Sequence, residues 1–166
     1  MKQYLDNIEK ILDKEIDAYC VLENYVIEKT EVLVHNKVEL LENLDTEIIQ
    51  QTTKVAHLAK ARQQQCVYVE RIDLTFNELI QKALGVDENQ AGRLTEKKDK
   101  LAAIVANIQS KNNTNAKLIN NSLLIMNKTI EFIFKIVAPE LDSYNQMGQM
   151  RKPNDYYKVS SIEQEA

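Results

Sequence analysis

An all-α fold is predicted by three observations. The 166-residue chain holds only three glycines and two prolines, with none of either before Gly85. Soluble domains average about 12% of the two together, so β-turns are scarce here and long helices are the default. Apolar residues recur every three to four positions over most of the length, the period of a helix face. Aromatics make up 6% of the chain and tryptophan is absent, a poor composition for sheets. The architecture expected is an elongated antiparallel helical hairpin or coiled-coil bundle. It has three long helices, one short helix and a flexible C-terminal tail, with a single helical domain over 1–138 and the tail over 139–166.

The first helix carries Leu5, Ile8, Leu12, Ile16, Tyr19, Leu22, Val26 and Leu33 on one face. It should run to about Leu33, because His35-Asn36 is the weakest helical point before residue 70 and marks a kink or short turn. The second helix reads as a heptad through Leu41, Leu44, Ile48, Gln51, Val55, Leu58, Arg62, Gln65, Val69 and Ile72. Alternating spacings of three and four make this a coiled-coil seam, which Gln51, Arg62 and Gln65 should loosen. Asp73-Leu74-Thr75 breaks the pattern. Thr75-Phe76-Asn77-Glu78 then matches a capping box, in which hydroxyl and carboxylate each satisfy a free amide of the other. A short helix over 76–84 follows and stops at Gly85. Asp87 can cap the last helix, which resumes the period at Leu94, Leu101, Ile104 and Ile108 and ends at Pro139. At ~1.5 Å per residue that helix is about 75 Å long.

Within it, the stretch KNNTNAKLINNSLL at 111–124 holds five asparagines. Five such residues cost roughly 3 kcal/mol against alanine by propensity. The apolar period nonetheless continues in register on both sides. One line runs Ile104, Lys111, Leu118, Ile125, Phe132; a second runs Ile108, Asn115, Ser122, Thr129, Ile136; a third runs Val105, Asn112, Ile119, Met126, Ile133. A loop would shift that phase, so the stretch is read as unbroken helix. Asn113 and Asn120 face outward, while Asn112 and Asn115 face the seam, where a polar register device is the plain alternative. Beyond them Leu123, Ile130 and Val137 form another line, and Leu124 and Phe134 lie on still other faces. Such a helix must be enclosed by its own protein, by a second copy or by a partner. An apolar groove that recruits a partner and burial in a bundle or homodimer both stay open.

Chemistry is sparse. There are two histidines, no HExxH, no His–Cys cluster and no glycine-rich phosphate loop, so no cofactor and no catalytic or metal site is expected. His57-Leu58-Ala59-Lys60-Ala61 approximates the H-x-x-K-G of histidine phosphotransfer domains but lacks the glycine, and a surface histidine is the favoured reading. The net charge of −4 is mild and unclustered, which argues against nucleic acid and anionic membranes as partners. Residues 118–138 are interrupted by Asn120, Asn121, Asn127, Lys128, Glu131 and Lys135 and are too polar to span a bilayer. The polar 1–8 start and the isolated thiols Cys20 and Cys66 fit a reduced, cytoplasmic protein.

With these residues in place the chain resembles the FlgN-type flagellar export chaperones of the type III secretion system. Glu15, Tyr19, Leu22, Lys29 and Leu33 have the look of the family's first helix. The break at His35-Asn36 and restart at Val38 and Leu41 sit where the family has its G-D-x-x-x-L turn, here without glycine. Leu58 with Arg62 is similar to L-E-x-x-R, with Ala59 in place of Glu, and residues 75–80 look like its short helix. Asn112-x-x-Asn115-Ala116-x-Leu118-Ile119 resembles N-x-x-N-x-x-L-L, and Tyr144 with Gly148 resembles Y-x-x-x-G. The resemblance implies a non-enzymatic chaperone that binds the helical termini of hook–filament junction proteins, prevents premature assembly and delivers them to the export gate. Client contacts are expected at Asn112, Asn115, Leu118, Ile119, Ser122, Leu123, Ile125, Met126, Thr129, Ile130, Phe132, Ile133 and Ile136, and gate docking at Tyr144. A homo-oligomeric coiled-coil scaffold and phosphotransfer through His57 are the alternatives.

Overall fold

The computed structural model describes residues 1–137, all of whose regular structure is helical. Helix α1 spans Lys2–Val34, α2 Leu41–Val67, α3 Phe76–Leu84 and α4 Glu88–Val137, with one 3-10 turn at Val38–Leu40. The expected three long helices and one short helix are all present. The chain forms two compact units, Met1–Asn120 and a second from Asn121 onward. Pro139, Tyr144 and Gly148 lie outside the described residues.

In the first unit α1 and α2 form an antiparallel hairpin. Asn36 turns the chain with φ 53, the left-handed region that asparagine tolerates better than other side-chain-bearing residues. Lys37 N then donates to Val32 O at 3.0 Å, using a carbonyl that the end of α1 leaves free. A glycine is therefore unnecessary at this turn. Lys29 Nζ bonds Asp45 Oδ1 at 2.5 Å across the top of the hairpin.

Helix α2 ends earlier than its heptad suggested. The amides of Tyr68 and Val69 donate to Gln65 O and Cys66 O, three residues back, so the last turn tightens. Cys66, not Gln65, is the fully buried seam residue there, and Ile72 is exposed. Tyr68 turns back onto Tyr4, ring centroids 5.0 Å apart and nearly coplanar, an offset-stacked geometry that favours aromatic pairs.

Helix α3 starts as predicted. Glu78 N donates to Thr75 Oγ1 at 3.3 Å and Thr75 N to Glu78 Oε2 at 2.8 Å. Those bonds from Thr75, aided by Arg71 and opposed by desolvation, hold the Glu78 carboxyl below its ordinary range. Thr75→Ala should cost about 1 kcal/mol, read as a lowered urea midpoint at unchanged slope. Asp87 Oδ1 accepts from the amides of Asn89 and Gln90 at 3.0 and 3.3 Å and caps α4.

Helix α4 runs parallel to α1. Gln90 Nε2 donates to Asp6 Oδ1 at 2.7 Å, Arg93 Nε to Glu9 Oε1 at 2.7 Å, and Lys97 pairs with Asp13. Two apolar clusters lie along α1. Leu5, Ile8 and Leu12 meet Cys66, Val69, Leu79, Ala83 and Leu94 at one end. Further along, Ile16, Leu22 and Val26 meet Val55, Leu101, Ile104 and Ile108. Fully burying one such side chain is worth roughly 1.5–3 kcal/mol.

The Arg93 hydrogen bond, opposed by partial burial, holds the Glu9 carboxyl below its ordinary value. A depressed carboxylate stabilises the fold above its unfolded value and stops doing so as the pH falls through its folded one. Stability should therefore decline below about pH 4.5, and Glu9→Gln should flatten that decline in urea titrations at stepped pH.

Candidate functional site: the exposed apolar end of helix 4

The polar residues inside the first unit set which part of α4 is covered. Three buried amides each donate to α1. Gln90 does so at its start, Gln51 Nε2 reaches Ala18 O at 2.7 Å, and Asn115 Nδ2 reaches Val26 O at 3.1 Å. A buried amide without a partner is costly, so each of these fixes the sliding of its helix against α1. Of the three seam residues expected to loosen α2, Gln51 instead makes one of these register bonds. Arg62, a second of them, forks onto Glu15 with Nε–Oε2 at 2.8 Å and Nη2–Oε1 at 3.4 Å, and its guanidinium lies 4.7 Å over the Phe76 ring.

Asn115, expected as a client contact, is turned inward onto α1. It is 3% exposed and its donor is spent on α1, because Val26 presents a carbonyl on the line Leu94, Leu101, Ile108, Asn115. Its Oδ1 has no partner among the described residues. Asn112, expected to face the seam with it, is exposed, as are Lys111, Asn113, Asn120 and Asn121. Contact between α4 and α1 has narrowed to one line by this point. The pairs Glu9–Arg93 and Val26–Asn115 are 84 and 89 residues apart. Leu118 and Ile119, just beyond, are half-buried.

The second unit's part of α4 is exposed over nearly every residue described. Ser122, Leu123, Ile125, Met126, Thr129, Ile130, Phe132, Ile133 and Ile136 all are, with Ile125 66% and Phe132 63% exposed. Leu124 and Phe134 are exposed too. The sequence marked them only as lying off the main lines. Monomeric proteins rarely leave so long a contiguous apolar surface to water. Lys135 Nζ bonds Glu131 Oε1 at 2.6 Å on the face that also carries Asn127 and Lys128, and lowers the Glu131 carboxyl. Thr129 Oγ1 donates to Ile125 O at 2.9 Å within the helix, which keeps its hydroxyl satisfied next to apolar neighbours.

Other surfaces carry less. His57 is exposed on α2 in a shallow groove with Thr52, Thr53, Ala56 and Lys60. A groove between α1 and α4 is lined by Asp13, Asp17, Arg93, Glu96, Lys97 and Lys100; within it Lys97 pairs with Asp13, and Arg93 reaches Glu9 beside it. Cys66 is buried, and desolvation raises its thiol above the ordinary value, so it acts as a small apolar side chain. No cluster of three or more metal-ligating side chains occurs among the described residues. No helix among them is long and apolar enough to cross a membrane.

Comparison with known proteins agrees with this geometry. No curated protein and no solved structure gave a significant match. The family model described as FlgN protein matches residues 1–152, which includes the whole bundle, the asparagine stretch and the exposed apolar end. A helical chain with three amide-locked helices, an uncovered apolar segment and that match belongs to the FlgN family of flagellar export chaperones, a family of chaperones and not of enzymes.

Proposed function

We propose that this chaperone binds the helical terminal segments of hook–filament junction proteins in the cytoplasm, keeps them from assembling early and hands them to the export gate. One observation carries the reading. From Leu123 to Ile136 the protein builds a well-formed helix and leaves its apolar side chains in water. Terminal segments of an unassembled client are short of apolar contacts for the same reason, and an amphipathic segment can fold against such a surface as it binds. Client contacts then fall on Leu118, Ile119, Leu123, Ile125, Met126, Ile130, Phe132, Ile133 and Ile136. The hydroxyls of Ser122 and Thr129 and the amide of Asn112 stand beside them for polar groups of the client. Tyr144 remains the proposed gate contact, since a ring with an apolar body and a polar tip suits transient docking.

The test is co-purification with a junction protein of the same organism. Ile125→Asp with Ile133→Asp should weaken binding by at least about 100-fold, the equivalent of removing two buried aliphatic side chains. Both positions are exposed, so helicity by circular dichroism should hold. Undiminished client binding would remove the site from α4.

A further inference from the structure

Burial and helix propensity fall together along α4, and both change at the asparagines. From Leu94 to Ser110, ten of seventeen residues are Ala, Leu, Lys, Glu or Gln, among the strongest helix formers. That stretch is also anchored, with Leu94, Leu101, Ile104 and Ile108 buried. From Asn120 to Ile136, an equal length, only six residues are strong formers once Met is included. The other eleven are Asn, Ser, Thr, Ile and Phe. These either compete for backbone groups or lose side-chain freedom in a helix. Every residue of this second stretch is exposed except the half-buried Glu131.

A helix grows only while each added residue is favoured, and even good formers pass that threshold by a factor of at most about 1.6. Weaker formers need packing to hold them, and exposed side chains supply little. The Glu131–Lys135 pair and apolar neighbours four positions apart offset part of the deficit. Melting from the far end therefore meets its first resistance at the half-buried Ile119 and Leu118. The firm stop is Asn115, whose buried amide is bonded to Val26 O and would lose its partner if the helix opened further. The second compact unit begins at Asn121, so the boundary drawn by contacts coincides with the one drawn by propensity. We infer that residues 120–136 open and close as one helical unit while the first unit stays folded, and that filling the apolar surface completes the helix. The opening is independent of what is bound; the completion rests on the client reading above. A surface ordered only as it is filled binds less tightly for its area, which suits a chaperone that must release its client.

Hydrogen exchange of the full chain at neutral pH, read by mass spectrometry, tests this. Peptides within 94–115 should exchange at least about 1,000-fold slower than an unfolded chain. Peptides within 121–136 should lie within about 10-fold of the unfolded rate, with the step falling between Asn115 and Leu123. Asn120→Ala with Asn121→Ala, both at exposed positions, should slow the far half by about 5–10-fold and leave 94–115 unchanged. Adding a full-length junction protein as probe should slow the far half by about 100-fold or more. Strong protection of 121–136 in the free protein, from the helix itself or from a second copy, overturns the inference and leaves the client reading untouched. A smooth decline from Leu94 onward is ordinary end fraying and overturns it too. So does an alanine pair that slows nothing, since propensity would then not set the opening. If the step is present and the probe leaves 121–136 unprotected, the opening unit stands, and the client reading falls together with completion of the helix.

Discussion

Arg62→Ala is expected to destabilise the first unit by about 3–5 kcal/mol, the cost of stranding a buried charge. Glu15 is 1% exposed, and both oxygens of its carboxylate accept from the Arg62 guanidinium. Without that fork the buried carboxylate stays near Tyr19 with no cation to offset its lost hydration. Burial, followed by the charge of Glu15, already raises the Tyr19 hydroxyl above its ordinary value. Arg62 also spans three elements, with Glu15 on α1, itself on α2 and Phe76 on α3 beneath its plane. Arg62→Lys keeps the charge but loses both the fork and the flat stacking surface, and should recover less than half of the loss. The decisive measurement is Glu15→Met with Arg62→Met. Urea denaturation should return that double variant to within about 1 kcal/mol of wild type, because the pair gains little over apolar packing of like volume. Against a total stability of about 5–15 kcal/mol, the single variants are severe and the double is mild. Equal loss in all three would mean the site needs the pair for shape, not for charge.

The same pair shows what the sequence could and could not reveal. The seam positions of Gln51 and Arg62 were plain from their heptad spacing, and so was the polarity of all three, although Cys66 takes the buried place expected of Gln65. Their partners were not, since a period states which way a residue faces and never what stands opposite. Two of the three turned out to fasten the seam. Helix starts were legible where local chemistry decides them, as at Thr75 and Asp87, because a capping side chain acts within three residues of itself. The end of α2 was not, because Tyr68 leaves the helix for a ring on α1, a contact 64 positions away in sequence that no local pattern encodes. The apolar period of α4 predicted one continuous helix through the asparagines, and it is one. Period alone could not say where its cover stops. That depends on the length of α1 and on the offset between α1 and α4, which Gln90, Arg93 and Asn115 set.

Asn115→Asp should be the most damaging change in the asparagine stretch, and its pH response should run opposite to that of the parent protein. The asparagine donates one hydrogen bond to Val26 O at 3.1 Å and leaves Oδ1 unpartnered. An ionised aspartate is nearly the same shape but has no proton to give. It would set a negative charge against a carbonyl oxygen at a buried position, costing about 3 kcal/mol or more at neutral pH. Burial raises the pKa of such a group above its usual value near 4. A carboxyl whose folded pKa is raised is destabilising above that pKa and relieved below it, once the acid can donate to Val26 O. The wild type loses stability as pH falls because Glu9, Glu78 and Asp87 are depressed carboxylates. The difference between variant and wild type should therefore shrink steadily from pH 7 to about pH 4. Asn115→Leu, which removes the donor and the unpartnered oxygen together, should cost under half as much and show no such narrowing. A pH-independent gap for the aspartate would place that side chain in water, and Asn115 would then be available to a client after all.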